Sequence, residues 1–191
     1  MKRFVPFAIT GLLLAGSTAL AEDVAADLNA LANESILAIV QAPEIVDAVK
    51  AQNAETAAYD AARVEALDQA WRAQLGKAER PLIAETLDRP ASRYLAAARD
   101  NSGGLFTEII VMDAKGLNVA QSDPTSDYWQ GDEAKWLETY ARGKDAVHIS
   151  EIEKDESTQA RQSQVSRTIA DPATGEPIGA ITVGINVELL D

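Results

Sequence analysis

The stretch 122–133 reads Ser-Asp-Pro-Thr-Ser-Asp-Tyr-Trp-Gln-Gly-Asp-Glu, so hydroxyls, carboxylates and two large aromatic rings lie within a dozen positions. Aromatic walls with a few convergent polar groups are what small-ligand pockets are made from. In such a pocket Tyr128 and Trp129 would be the walls. Asp127 or Asp132 would pair a cationic group, and Ser122, Gln164 or Ser166 would orient it. A structural role fits the same rings, which could simply fold the loop back onto the sheet, and residue types alone do not choose between the two.

Covalent catalysis lacks its parts. There is one histidine, His148, no cysteine, and no serine in a Gly-x-Ser-x-Gly elbow. His148 lies between Val147 and Ile149, where a structural or surface role is expected. Asp123, Asp127, Asp132 and Glu133 are hard oxygen donors, but their spacing is not that of an EF-hand, and single carboxylates in turns commonly cap helices or close Asx-turns. No metal site is assigned. Nothing places two of these carboxylates face to face as a paired-carboxylate hydrolase requires. The glycines form neither a P-loop nor a dinucleotide fingerprint. The expectation is a protein that is not an enzyme, carries no cofactor and works by non-covalent recognition.

These residues need a scaffold. Phe106 to Met112 is rich in β-branched residues and ends at Asp113-Ala114-Lys115-Gly116, a strand followed by a tight turn. A second strand, Leu117 to Gln121, meets Ser122-Asp123-Pro124, where proline removes a ladder donor and hands the chain to the loop. Upstream, apolar spacing predicts helices over Asp23 to Gln41, from Pro43 to near Asn53, over Thr56 to Leu75, Leu82 to Leu87 and Ser92 to Arg99. Trp71 falls on the apolar stripe of the third helix and is expected in the core. A further helix over Asp132 to Arg142 would bring Trp129, Glu133, Trp136 and Tyr140 near one another. Three strands close the chain as an antiparallel meander, near Val147 to Ile152, Gln162 to Ile169 and Ile178 to Val187. Along the last of them Ile181, Val183, Ile185 and Val187 point one way, and Ala180, Thr182, Gly184 and Asn186 the other. Helices should cover the apolar face. The small, polar face, with the row Gln162, Gln164, Ser166 and Thr168, would be left to solvent or a ligand, and Tyr128 and Trp129 could close against it.

At the N-terminus Lys2-Arg3, an apolar run and Ala19-Leu20-Ala21 make a secretory signal, with cleavage expected after Ala21. Export loses both basic residues, so the net charge of −13 becomes −15. Such a surface disfavours nucleic acid and anionic membranes. The mature chain has no other segment apolar enough to span a bilayer. It divides into a helical region, 22–100, and a sheet region, 101–191, of one expected domain.

The order of these elements resembles the single Cache domain, the PAS-like extracytoplasmic sensor module of bacterial receptors. The resemblance is carried by the long first helix, Pro43-Glu44-Ile45-Val46, the Asp113-x-x-Gly116 turn, Ser122 to Trp136, Asp155-Glu156-Ser157-Thr158 and Ile178-Gly179-Ala180-Ile181. It implies an α+β fold with long N-terminal helices on one face of a five- or six-stranded antiparallel sheet, and ligands bound on the other face. It points to Ser122, Tyr128, Trp129 and Asp132 as ligand-binding, with Asp155 and Gln164 across the sheet. Receptor Cache domains are flanked by membrane helices and followed by a signalling module, whereas this chain ends directly after its last strand. A stand-alone periplasmic protein is therefore expected, one that binds a small polar metabolite and informs a membrane-bound sensor kinase or chemoreceptor. An adaptor with a degenerate pocket, acting through the first helix, is the alternative.

Overall fold

β-Branched residues dominate the two strands at the centre of the sheet, and their alternation sets which layer each face must meet. The computed structural model describes residues 16–154 and 160–190, with side-chain surroundings from residue 23 onward. Most of the expected signal, Met1 to Ala21, and the whole of Asp155 to Thr158 lie outside the described residues. Among the described residues the helices are α1 (Gly16–Asn33), α2 (Ser35–Val40), α3 (Pro43–Thr56), α4 (Ala61–Arg72), α5 (Pro81–Asp88), α6 (Pro90–Asn101) and α7 (Ala134–Leu137). The strands are β1 (Phe106–Asp113), β2 (Asn118–Gln121), β3 (Val147–Ile149), β4 (Glu153–Lys154), β5 (Arg161–Ala170) and β6 (Pro177–Asn186).

The sheet is antiparallel with strand order β2-β1-β6-β5-β3, and β4 adds to β5 beyond β3. The closing meander is present, and the early hairpin joins it through β1 pairing with β6. Ile109 and Val111 of β1, Val165 and Ile169 of β5, and Ile181, Val183 and Ile185 of β6 are fully buried on one face. Leu28, Ala32, Ile36, Ile39, Ile45, Val49 and Leu95 from the helices pack onto them as the main core. Each of the Leu, Ile and Val side chains contributes about 1.5–3 kcal/mol by leaving water. The apolar residues of α1 serve this core: Leu28 is buried, and Val24 and Leu31 pack against it.

The helix limits follow local chemistry. Asp60 caps α4 by accepting from the Arg63 N–H. Pro43, Pro81 and Pro90 occupy first helical turns, where no donor is lost. The expected Asp23 to Gln41 helix is interrupted at Glu34, whose backbone is non-helical (φ −115°, ψ −80°).

The expected helix over Asp132 to Arg142 is a larger departure. Only α7 is α-helical, followed by a 3-10 turn at Tyr140–Arg142. Thr139 leaves helical geometry, and its hydroxyl donates to the Lys135 carbonyl at 2.5 Å. Thr86 makes the same bond to the carbonyl four residues back within α5 without ending it, so the break lies in the Thr139 backbone (φ −123°, ψ −87°). Consequently Trp136 and Tyr140 pair, at 5.0 Å between rings, and cover Ile110, Met112 and Ala180 on the second sheet face, while Trp129 sits in a different cluster.

Candidate functional site

Proline ends the ladder at Pro124, and the chain then turns back along the free edge of β2. The Asn118 N–H donates to the Tyr128 carbonyl at 2.9 Å and the Gln130 N–H to Gly116 at 2.7 Å, while Leu117 and Trp129 form a bridge. The loop thus extends the sheet edge. Its outer side is held by α4. Asp68 accepts from the N–H groups of Tyr128 and Trp129 at 2.8 and 3.0 Å and from Arg72 Nε at 2.6 Å. Burial pushes the Asp68 carboxyl up, but these three donors outweigh it and hold the group below its ordinary value. Trp71 is buried, donates from Nε1 to the Thr125 carbonyl at 2.9 Å and stacks on Tyr128 with ring centroids 5.3 Å apart.

The residues singled out from the sequence separate into different surroundings. Ser122 is buried, accepts from the Ile109 N–H and donates to Asp123. Tyr128 lies in a second apolar cluster with Val64, Trp71, Ile83 and Leu117. Burial pushes its phenol up despite the nearby Arg89 guanidinium, so the ring stays neutral. Asp127 accepts from Arg72 and Gln130. Asp132 is exposed. Trp129 is half-buried, with Nε1 donating to the Lys115 carbonyl at 2.8 Å. Gln164 stands on β5, on the second face of the sheet, and donates to Glu108 at 3.2 Å. Asp155 lies outside the described residues.

Closure of Tyr128 and Trp129 over Thr182, Gly184 and Asn186 is therefore not the geometry found. Both rings sit beyond β2, whereas those floor residues are on β6, two strands inward. The reason is Asp68, which captures the loop from the α4 side. The acidic loop residues are likewise engaged by cations: Asp123 with Arg99, Asp127 with Arg72, and Glu133 with Lys135 at 3.0 Å. Among the described residues no three His, Asp or Glu side chains converge as a metal site would require.

Three concavities are relevant. The second sheet face carries Ala180, Thr182 and Gly184 beside Gln162, Gln164, Ser166 and Thr168, with Ser166 donating to Thr182 at 2.8 Å. Trp136 and Tyr140 cover its Ala180 half. Gly184 is buried under the side chains of Thr107, Glu108 and Gln162, and beside them is a cavity of about 320 Å³ lined by Glu133, Ser150, Glu151, Glu153, Gln162 and Gln164. A slot of about 340 Å³ lies between Tyr59, Val64, Trp129 and Lys115, outside the β2 edge. A cavity of about 510 Å³ runs between α3 and the α5–α6 junction over Arg89, on the helix side of the sheet. Arg89 there already donates to Gln52 and to the Val119 carbonyl.

This architecture has counterparts among solved structures. The chain is similar to the sensor domain of the Vibrio cholerae histidine kinase DctB, with 15% identity and a TM-score of 0.50 over 89% of this chain and 53% of that one. The fold is that of a Cache-type sensor domain. This chain spans about half the length of the DctB domain it matches. Lower similarity, with TM-scores that carry no argument, extends to the ligand-binding domains of two chemoreceptors. One is Tlp3 of Campylobacter jejuni in complex with 4-methylisoleucine (13% identity, TM-score 0.41, 94% of this chain and 65% of that one). The other is PctC of Pseudomonas aeruginosa in complex with GABA (18%, 0.38, 66% and 51%). No family model and no curated protein matches the chain. No helix among the described residues is long and apolar enough to cross a membrane.

Within the Cache fold, sequence reasoning missed how the polar-face cavity is built. Gln162 was visible in the polar row of β5, but Ser150 and Glu133 enter the cavity from separate segments, and no periodicity links them. Asp68 was also missed as the anchor of the loop. It is one of two acids on α4, with Glu65, and has no local sign that it would be the buried one.

Proposed function

We propose that this protein is a sensory ligand-binding module that takes a small polar metabolite on the second face of its sheet. It would work in the periplasm after export and pass occupancy to a membrane-bound sensor kinase or chemoreceptor. The observation that carries the reading is the cavity beside the Gly184 end of the polar face. There Gln162, Gln164 and Ser150 offer amide and hydroxyl groups, and Glu133, Glu151 and Glu153 offer negative charge, around a cavity of about 320 Å³. Such a lining suits a ligand with an ammonium or another cationic donor. Gln164 is the residue expected from sequence that lines this cavity, and Asp132 precedes Glu133 at its rim. Ser122, Asp127 and Tyr128 would act on it indirectly, by holding the loop that leads to α7, and Asp155 is retained as a contact from the β4 side.

The sensor fold supports this reading over an adaptor that docks through α1. The apolar side chains such an adaptor would present, Val24, Leu28 and Leu31, are used by the core.

A thermal-shift screen of amines, amino acids and small carboxylates tests the proposal. A ligand at a hundred times its Kd stabilises by about 2.7 kcal/mol, and about 2–4 °C of Tm per kcal/mol is expected at this chain length. At least one active compound should lose its shift in Gln164→Leu. A screen in which no compound moves Tm, or in which every active compound moves Gln164→Leu as it does the wild type, overturns the assignment.

A further inference from the structure

The slot outside β2 has a chemistry unlike the polar cavity. Its walls are Tyr59, Val64 and the half-buried Trp129, and Asp60, Glu65 and Lys115 stand at its margin. Both rings are held in place before any ligand arrives. The Tyr59 hydroxyl donates to Glu55 at 2.9 Å, and Trp129 Nε1 is taken by the Lys115 carbonyl at 2.8 Å. Gly131 lies so close under the indole that an added Cβ would overlap the ring. The polar edges of the two rings are therefore satisfied, leaving their faces as the recognition surface. One face is already in use: the Arg63 guanidinium lies 5.4 Å from the Tyr59 ring centroid. That guanidinium is itself a cation, so the Trp129 face and the acids at the margin must draw a second one. The local charges agree. Asp60 spends one carboxylate oxygen on the Arg63 N–H and Glu65 one on Gln69, so each has a second oxygen toward which a cation can be drawn. Lys115 is opposite in sign and would pair an anionic end.

The geometry points to a second binding site, independent of the polar-face cavity, in which Tyr59 and Trp129 hold a methylated ammonium group and Lys115 pairs the carboxylate of a zwitterionic ligand. Methylation matters because a quaternary ammonium has no N–H to satisfy and little hydration to lose, so aromatic faces and Val64 suffice where a primary amine would need acceptors. Two apolar walls, two acids and one lysine match the parts of a betaine: apolar methyl groups, a positive charge and a carboxylate a few bonds away.

Isothermal titration calorimetry with tetramethylammonium chloride, trimethylglycine and ammonium chloride tests the site, with Trp129 fluorescence as a parallel signal. Tetramethylammonium and trimethylglycine should bind saturably, whereas ammonium should not. Tyr59→Leu should weaken both about tenfold, as expected for loss of one aromatic face. Lys115→Met should weaken trimethylglycine but not tetramethylammonium, and Gln164→Leu should change neither. Trp129→Leu should abolish binding; because that substitution also touches the loop, Tyr59→Leu is the deciding variant where the former does not fold. Absence of saturable binding in the wild type, equal binding of ammonium, or full binding by Tyr59→Leu overturns the proposal. Loss of binding in Gln164→Leu would move the ligand to the sheet face and overturn it as well.

Discussion

At Asp68 one carboxylate holds two consecutive N–H groups, those of Tyr128 and Trp129, and one guanidinium, that of Arg72. Replacing it by Ala strands both backbone donors in a buried setting, which costs about 1–3 kcal/mol for an unsatisfied group. Urea denaturation of Asp68→Ala should show a loss of about 2–3 kcal/mol and an altered environment for Trp71 and Trp129. The same carboxylate sets a pH dependence. Its pKa is lower in the folded than in the unfolded state, so its stabilisation is fully present above the unfolded value and is lost as pH falls through the folded one. The stability gap between wild type and Asp68→Asn should therefore be widest near neutral pH and narrow below about pH 4, as denaturant midpoints taken along the pH scale would show. The site residues were only partly legible at this scale. Ser122, Tyr128 and Trp129 stood out by type, but whether a ring lines a pocket or fills a core depends on what lies above it. For Tyr128 that is Trp71, more than fifty positions away in sequence.

The turn between β1 and β2 is where one element's geometry governs another's. Gly116 has φ +79°, and an added Cβ there would overlap Gly131 of the returning loop. Gly116→Ala should thus combine left-handed strain with a steric conflict and cost about 2–3 kcal/mol. Gly76 shares the conformation (φ +71°) but faces open space, so Gly76→Ala should cost only about 1 kcal/mol. Thermal melts of the pair separate strain from packing. Elements were the most legible level of the sequence. The strand alternation at Ile181, Val183 and Ile185 and the apolar spacing of α3 and α4 depend on local period, and the structure shares that period. The region after Trp129 was not legible in the same way. The i, i+3 and i+4 spacing of Glu133, Trp136 and Tyr140 imitates a longer helix, and the non-helical backbone at Thr139 is a break the apolar pattern does not register.

For the described residues as a whole, the helices and loops leave a cavity at the Gly184 end of the second sheet face, and the proposed ligand would sit there. The alternating faces of β6 foretold that one side would be apolar and helix-covered and the other polar. They could not show that α7 and the 3-10 turn after it would take the Ala180 half while Thr107, Glu108 and Gln162 close over Gly184, because that division comes from Trp136 and Tyr140 docking on Ile110 and Met112. The slot at Trp129 and the groove above Arg89 are competing places for a small molecule, so thermal shifts alone do not locate it. The most direct measurement is a crystal structure of the protein with the metabolite whose Tm shift is removed by Gln164→Leu. Bound density against Gln162, Gln164 and Ser150 on the polar sheet face is the predicted result. Density confined to the slot beside Trp129 or to the groove between α3 and α5, with the sheet face holding only solvent, would contradict the account.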